Sequence, residues 1–139
     1  MDRNSYFWQV QDGKLPPPNA AVTLGFRFID INTEAGSIEV EFDGKEAFTN
    51  PVGNIQGGFL AAMLDDTMGP ALVATLAAGE FAPTVNLNVQ FLSTAKPGPI
   101  VGKGCIVRRG KEVCYLSGEL RQNGKLVATA TATAIIRRL

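Results

Sequence analysis

Histidine is missing from the 139 residues. That excludes every mechanism that needs an imidazole from this chain, including Ser-His-Asp triads, Cys-His dyads and the common zinc sites. Cysteine is scarce. Cys105 and Cys114 are too few for a disulfide framework or a structural metal cluster, and no metal is expected. Neither sign of charge is in excess, with 13 basic and 13 acidic side chains. A balanced domain is not tuned to grip the phosphate backbone of nucleic acid over a wide surface. Long uncharged apolar runs are also absent. The longest apolar stretch, near 57–78, contains Asp65, Asp66, Gly69 and Pro70, which argues against a membrane span. Residues 1–5 lack the basic start and apolar run of a signal peptide. The expectation is a soluble, cytoplasmic protein with no nucleic-acid or membrane partner.

Apolar residues make up 45% and charged residues 19% of the chain, a globular composition. The length suits one domain, 1–139, with 1–19 as a loosely organised lead-in. Ser5 could cap a short helical turn carrying Phe7 and Trp8. The run Leu15-Pro16-Pro17-Pro18 ends any helix before it.

Strand patterns follow. Leu24, Phe26 and Phe28 alternate with polar or small residues, as do Ile38, Val40 and Phe42, with a hairpin loop at 32–36. Residues 43–56 read as an irregular, turn-rich connection. The one long helix spans 57–78. Its apolar residues point nearly all round, so it should be buried on most sides. Pro70 should kink it and leave the Asp66 carbonyl unpaired, and Gly79 should end it. Four more strands follow: 84–91, 100–108, 113–121 and 125–137, with turns at Arg109-Gly110-Lys111 and Asn123-Gly124. The fold class is α+β, a curved antiparallel sheet of about six strands wrapped around one long central helix. Alanines in the last strand would let the helix approach closely. A remaining sheet edge or face would seek a partner subunit.

Asp65 and Asp66 are the only charges in the helix. Burying an ionised carboxylate without partners costs several kcal/mol, so something must compensate or the site must be open. Neighbouring residues diverge by about 100°, which favours one working carboxylate over a paired acid and base. On the residues alone, both could equally sit in a solvent-facing gap or bind amides freed at Pro70. Gln56-Gly57-Gly58 opens the helix. Its first N–H groups lack internal partners, lie at the positive end of the dipole and suit a developing oxyanion. An ordinary helix entry, with glycine resolving a turn, needs the same residues.

Taken together, Asn50, Gly53, Gln56-Gly57-Gly58 and Asp65, nine positions after Gln56, resemble the signature of the hotdog-fold thioesterases, in the group related to the phenylacetate-pathway thioesterase PaaI. The resemblance covers most of 45–137. It implies hydrolysis of an acyl-CoA to a carboxylic acid and free CoA. The Gly57 amide would polarise the thioester carbonyl, with Gly58 beside it, and Asp65 of the facing subunit would act as base or nucleophile. Asn50 would help to place the water or the carboxylate, and Thr84 would supply an assisting hydroxyl. The resemblance also implies a homodimer or a dimer-of-dimers tetramer with sites across the dimer interface. No cofactor is expected, coenzyme A being part of the substrate. Gln56 stands where the family usually has histidine; it can donate and accept hydrogen bonds but cannot titrate near neutral pH. The same fold could instead bind acyl-CoA without turnover, as a sensor or scaffold.

Basic residues recur near strand ends. Arg108, Arg109 and Lys111 are candidates for coenzyme A phosphates; solvated strand ends explain each one taken singly better than a phosphate does. An apolar setting should raise the Asp65 pKa by desolvation, unless donors reverse the sign. Cys105 and Cys114 could face each other across a turn centred between Arg109 and Gly110, and a one-residue shift would part them. Phe7 and Trp8 could cap the dimer or line an acyl tunnel, and packing against the sheet is the role expected of them first.

Overall fold

The computed structural model describes residues 1–139. Two short helices, α1 (Tyr6–Gln11) and α2 (Asn19–Leu24), precede the hairpin β1 (Arg27–Asn32) and β2 (Ser37–Gly44). A 3-10 turn at Glu46–Phe48 leads to the long helix α3 (Gly57–Val73). The remainder is β3 (Glu80–Phe81), β4 (Thr84–Phe91), β5 (Gly98–Arg109), β6 (Val113–Gln122), β7 (Lys125–Ile135) and β8 (Arg137–Arg138). Six strands form one antiparallel sheet in the order β1-β2-β5-β6-β7-β4, and β3 pairs with β8 apart from it. This is the α+β plan expected from the sequence, with α3 packed on one sheet face.

Glycine, rather than the alanines of the last strand, sets the closest approach of α3 to the sheet. Gly102 and Gly104 of β5 and Gly118 of β6 lie directly beneath Thr67 and Met68. A Cβ at Gly118 would meet Met68 Cγ at 2.8 Å, and one at Gly104 would meet the Thr67 carbonyl oxygen at 3.0 Å. A Cβ at Gly102 would collide with the Thr67 hydroxyl. That buried hydroxyl donates to the Met63 carbonyl at 2.7 Å, so its polarity is satisfied within the helix.

Several expectations need correction. Residues 19–24 are helical rather than the start of a strand. Pro18 holds the N-cap position, Ala21 and Leu24 bury one face, and left-handed Gly25 closes the turn at φ +67°. The alternation at Leu24, Phe26 and Phe28 was a chance overlap of a helix end with a strand start. Helix α3 ends at Val73, five residues before the expected boundary. There the Thr75 hydroxyl donates to the Leu72 carbonyl at 2.7 Å and occupies a terminal acceptor. Nor is α3 buried on most sides. Leu60, Met63, Leu64, Thr67, Met68, Ala71 and Leu72 form one buried stripe, and the opposite face is half open.

Residues 1–19 are more ordered than a loose lead-in. Ser5 occupies the N-cap of α1 but makes no side-chain cap bond. Trp8 Nε1 donates to the Ala74 carbonyl at 3.0 Å, and Phe7 and Trp8 join the core cluster. They pack against α3 as well as the sheet. The cysteines do not face each other. The β5–β6 turn is centred near residues 111 and 112 rather than between Arg109 and Gly110, so Arg109 pairs with Cys114 and Cys105 pairs with Ser117; an extra residue in β5 between Ile106 and Arg108 alters the register by only one. Cys114 belongs to the core, while the Cys105 Sγ lies 3.1 Å from the Ser117 hydroxyl, in the row of polar residues on the other sheet face.

Candidate active site

The sharp turn before α3 is built around Asn50. Its side-chain oxygen accepts from the amides of Val52 and Asn54, both at 3.1 Å, and Gly53 adopts φ +84° to complete the loop. Phe48 stacks on Phe59 at 4.3 Å between ring centroids, and the Ile55 amide donates to the Ala95 carbonyl at 2.8 Å. These contacts fix where the helix begins. Gln56 is its exposed N-cap residue, with no side-chain cap bond. Its carbonyl accepts from Phe59 and Leu60, leaving the Gly57 and Gly58 amides at the helix mouth without an acceptor inside the helix. The Phe91 ring covers Gly57 closely, since a Cβ there would sit 3.1 Å from it. Gly58 is exposed and open.

Two turns further along, Asp65 Oδ1 accepts a hydrogen bond from the Thr84 hydroxyl at 2.8 Å. A bulge makes this pair possible. Along β4, Asn86 to Phe91 pair regularly with Thr133 to Ala128, but Thr84 pairs with Ala134. One extra residue is thereby inserted at Val85. Without it, Thr84 would share the face of Asn86 and Asn88. With it, Thr84 turns to the face of Ala134, where α3 lies.

Asp66 lines the same cleft as Asp65, despite the angular divergence of adjacent helical residues. Its Oδ2 is buried without a hydrogen-bond partner. Burial first, and the Asp65 charge second, push the Asp66 carboxyl up to about 7. The desolvated carboxyl is thus the neighbour of the expected one. Pro70, which cannot donate to the Asp66 carbonyl, lies on the same cleft wall.

The cleft has a volume of about 1060 Å³. Gly69, Pro70 and Val73 of α3 form one wall, and Phe81, Ala82 and Pro83 lead from β3 to Thr84. Residues of α1, the proline run and β1 close the far side.

One chain does not bring the remaining candidates together. Gly57 and Asp65 are eight positions apart on α3, or about 12 Å along the axis, too far to touch one carbon atom. Asn50 organises its own loop at the Gly57 end. Arg108, Arg109 and Lys111 lie at the other end of the helix from Gly58. The β5 bulge turns Arg109 towards Thr75, where its Nη1 donates to the Thr75 carbonyl at 3.3 Å and to the Thr75 hydroxyl. Arg108 pairs with Tyr115, and Lys111 lies in the exposed β5–β6 turn. No three His, Cys, Asp or Glu side chains cluster as a metal site. No helix is long and apolar enough to cross a membrane.

Asp66 and Gly69 were not among the candidates read from the sequence. Asp66 was noticed but set aside because of its angular offset, and Gly69 carries no local signal. The edge strand β4 supplies a further feature. Val85 and Phe91 remain 56% and 55% exposed, although β4 has the most regular alternation in the chain.

Comparison with known proteins agrees with the fold. The description of the acyl-CoA thioesterase N-terminal domain family matches residues 47–135. A candidate esterase of Saccharolobus solfataricus is 33% identical over 117 residues, covering 81% of this chain and 83% of that protein. Acyl-coenzyme A thioesterase 13 of Homo sapiens is 29% identical over 106 residues, covering 74% and 75%. The crystal structure of a candidate thioesterase from Ralstonia eutropha JMP134, described as phenylacetic acid degradation-related, superposes with a TM-score of 0.92. It is 47% identical and covers 94% of this chain and 98% of its own.

Proposed function

The chain belongs to the acyl-CoA thioesterase N-terminal domain family, and from that premise we propose that it hydrolyses an acyl-CoA at a site shared by two copies of the chain. The observation that carries this reading is the Asp65–Thr84 pair opening onto the cleft. The Thr84 hydroxyl orients the carboxylate through Oδ1, leaving Oδ2 to meet a water or the thioester carbon. The Gly57 and Gly58 amides of the second copy receive the carbonyl oxygen as it gains negative charge. With Asp65 as base, water oxygen bonds to the carbonyl carbon while its proton passes to the carboxylate. The C–S bond then breaks, and the proton goes on to the departing CoA thiolate. With Asp65 as nucleophile, the carboxylate oxygen bonds to the carbonyl carbon, the C–S bond breaks to release CoA thiolate, which takes a proton from solvent, and water then opens the mixed anhydride. An acyl-Asp65 adduct in rapid-quench mass spectra, or solvent oxygen-18 in Asp65 after one turnover where water attacks the Asp65 carbonyl, marks the nucleophilic route.

The shared site follows from the separation of Gly57 and Asp65 along one helix. Edge strand β4, with its free backbone edge and exposed Val85, Leu87 and Phe91, is the surface on which a second copy would complete it. Gln56 at the helix mouth holds or releases hydrogen bonds to the thioester without titrating.

Thiol release from acyl-CoA substrates tests the reading. Asp65→Asn should lower kcat by about a thousandfold, within the range of acid–base catalysis, with fold and assembly unchanged. Unaltered turnover would remove Asp65 from the reaction. Gly57→Pro removes the amide donor while suiting the first helical position. Mixing the two inactive variants should restore about a quarter of wild-type activity, because half of random dimers carry one intact site. No recovery on subunit exchange would mean that the site is not shared. Tight acyl-CoA binding with no wild-type turnover would favour the sensor or scaffold alternative.

A further inference from the structure

We infer that residues 1–28 build the wall of an acyl pocket, and that the chain takes substrates with an uncharged, apolar acyl group of about eight carbons or more. This rests on the hydrolase reading above for the position of the thioester. The pocket itself rests on separate observations.

The family match begins at residue 47, so α1, the proline run, α2 and β1 all lie outside it. Yet Phe7, Val10, Phe26 and Phe28 from this segment line the cleft that contains Asp65 and Thr84. The wall is anchored. Trp8 Nε1 donates to the Ala74 carbonyl, the Ala78 amide donates to Asp2 Oδ2 at 2.9 Å, and Phe7 packs edge-on against Trp8 and Phe28 at 5.0 and 5.8 Å. A segment held at both ends of α1 and stitched to the far end of α3 is part of the fold.

The cleft is open to solvent, and its volume, about 1060 Å³, lies just above the usual range for small-molecule sites. A two-carbon acyl group would leave it largely unfilled. The charged side chains lining it are Asp65, Asp66, Glu80 and Arg27. Arg27 is paired with Glu41 at 2.6 Å. Glu80 is likewise paired, with Arg138 at 4.0 Å, which leaves no cation free to receive a tail ending in carboxylate and Asp65 to repel it, whereas a hydrocarbon tail meets the aromatic and aliphatic wall.

Gly69 gives a clean way to fill the pocket. It lies one turn beyond Asp65, lines the cleft, and a Cβ there meets nothing within 4 Å. Leucine at this position should strengthen the helix and project into the space. The test uses two non-hydrolysable thioethers, octyl-CoA and ethyl-CoA, titrated calorimetrically into the wild-type protein, Gly69→Leu and Val10→Trp. Each fully buried methylene is worth about fourfold in affinity. With partial burial, octyl-CoA should bind the wild type about 100-fold more tightly than ethyl-CoA. Either substitution should reduce that ratio at least about tenfold, mainly by weakening octyl-CoA.

A wild-type ratio near one, or a ratio that neither variant moves, would overturn the assignment. A change with Gly69→Leu alone would take the N-terminal segment out of the pocket and overturn its role as a wall. The hydrolase reading fails separately. A protein that prefers octyl-CoA but releases no thiol from octanoyl-CoA would keep the pocket and lose the reaction.

Discussion

On the face of α3 that meets the sheet, Thr67 and Met68 press onto Gly102, Gly104 and Gly118, and every side chain from Leu60 to Leu72 on that stripe is buried. On the opposite face, Asp65, Asp66 and Gly69 look into a cleft, and nothing lies within 4 Å of where a Gly69 Cβ would be. The same helix thus carries glycine contacts of two kinds. Beneath the packed face glycine yields space to a neighbour, and on the open face it leaves space for something absent from a single chain. The packed face tolerates no added atom. The open face tolerates charge, an unpaired carboxyl oxygen and substitution, which are the conditions for chemistry rather than for stability.

The sharpest break of this comparison is Gly102→Val. Its Cβ alone would collide with the Thr67 hydroxyl, and the two added methyl groups have no room. A loss of at least about 4 kcal/mol is expected, measured by urea denaturation where the variant still folds. Adding Thr67→Ala should recover part of it, because the two side chains compete for one space. A near-neutral Gly102→Val would mean that the helix and sheet are far less tightly packed than their geometry indicates.

How much of this was legible before the structure differs between the two faces. The existence of α3, the succession of strands along the chain and the antiparallel plan followed from hydrophobic period and turn residues, because these signals are local. The packed face was misassigned to the alanines of the last strand. Close approach depends on which strand lies under which helical turn, and the central position of β5 and β6 is set by long-range pairing. At the open face, Asp65 stood out because a charge in an apolar helix is conspicuous. Its bond to Thr84 was not readable from alternation, which put Thr84 with Asn86; the bulge at Val85 reverses the face. Cys105 and Cys114 part for a different reason: the β5–β6 turn is centred near residues 111 and 112, about two positions beyond the Arg109-Gly110 centre that the turn residues suggest. A one-residue insertion leaves no mark in composition or periodicity, yet it flips every side chain beyond it.

Asp66 sharpens the comparison through pH. In the folded chain its carboxyl keeps the proton up to about 7, whereas in the unfolded chain it ionises near the ordinary aspartate value of 3.8. Between those values the folded state binds more protons, so stability falls as pH rises. The contribution is fully present below the unfolded value and is lost as pH climbs through the folded one. The slope is at most about 1.4 kcal/mol per pH unit. Asp66→Asn should flatten this slope and gain about 1–3 kcal/mol over the wild type at pH 8, with little difference at pH 4. Parallel wild-type and variant curves in denaturant across this range would show that Asp66 is not the proton-holding group.

Thr84→Ala probes the open face more gently. In the proposed reaction its hydroxyl orients Asp65 without reaching the reacting carbon, so about a tenfold loss in kcat is expected, against about a thousandfold for Asp65→Asn. Thr84→Ser should restore most of it, since the donor returns even though the methyl group does not. A loss in Thr84→Ser equal to that in Thr84→Ala would make packing, not the hydrogen bond, the role of this position.

The smallest effect is expected where α3 touches least. Gln56 is exposed, caps no amide with its side chain, and precedes the helix mouth rather than either face. If it only steadies the thioester by a hydrogen bond, Gln56→His should keep kcat/KM within about threefold at pH 8, where imidazole is mostly neutral and can still donate and accept. On lowering the pH to 6 the imidazole gains charge next to the positive end of the helix dipole, which disfavours the protonated form. Activity should therefore hold until the pH is well below the usual histidine range. A steep loss already at pH 8 would show that the amide of Gln56 makes a contact with substrate that an aromatic ring cannot reproduce.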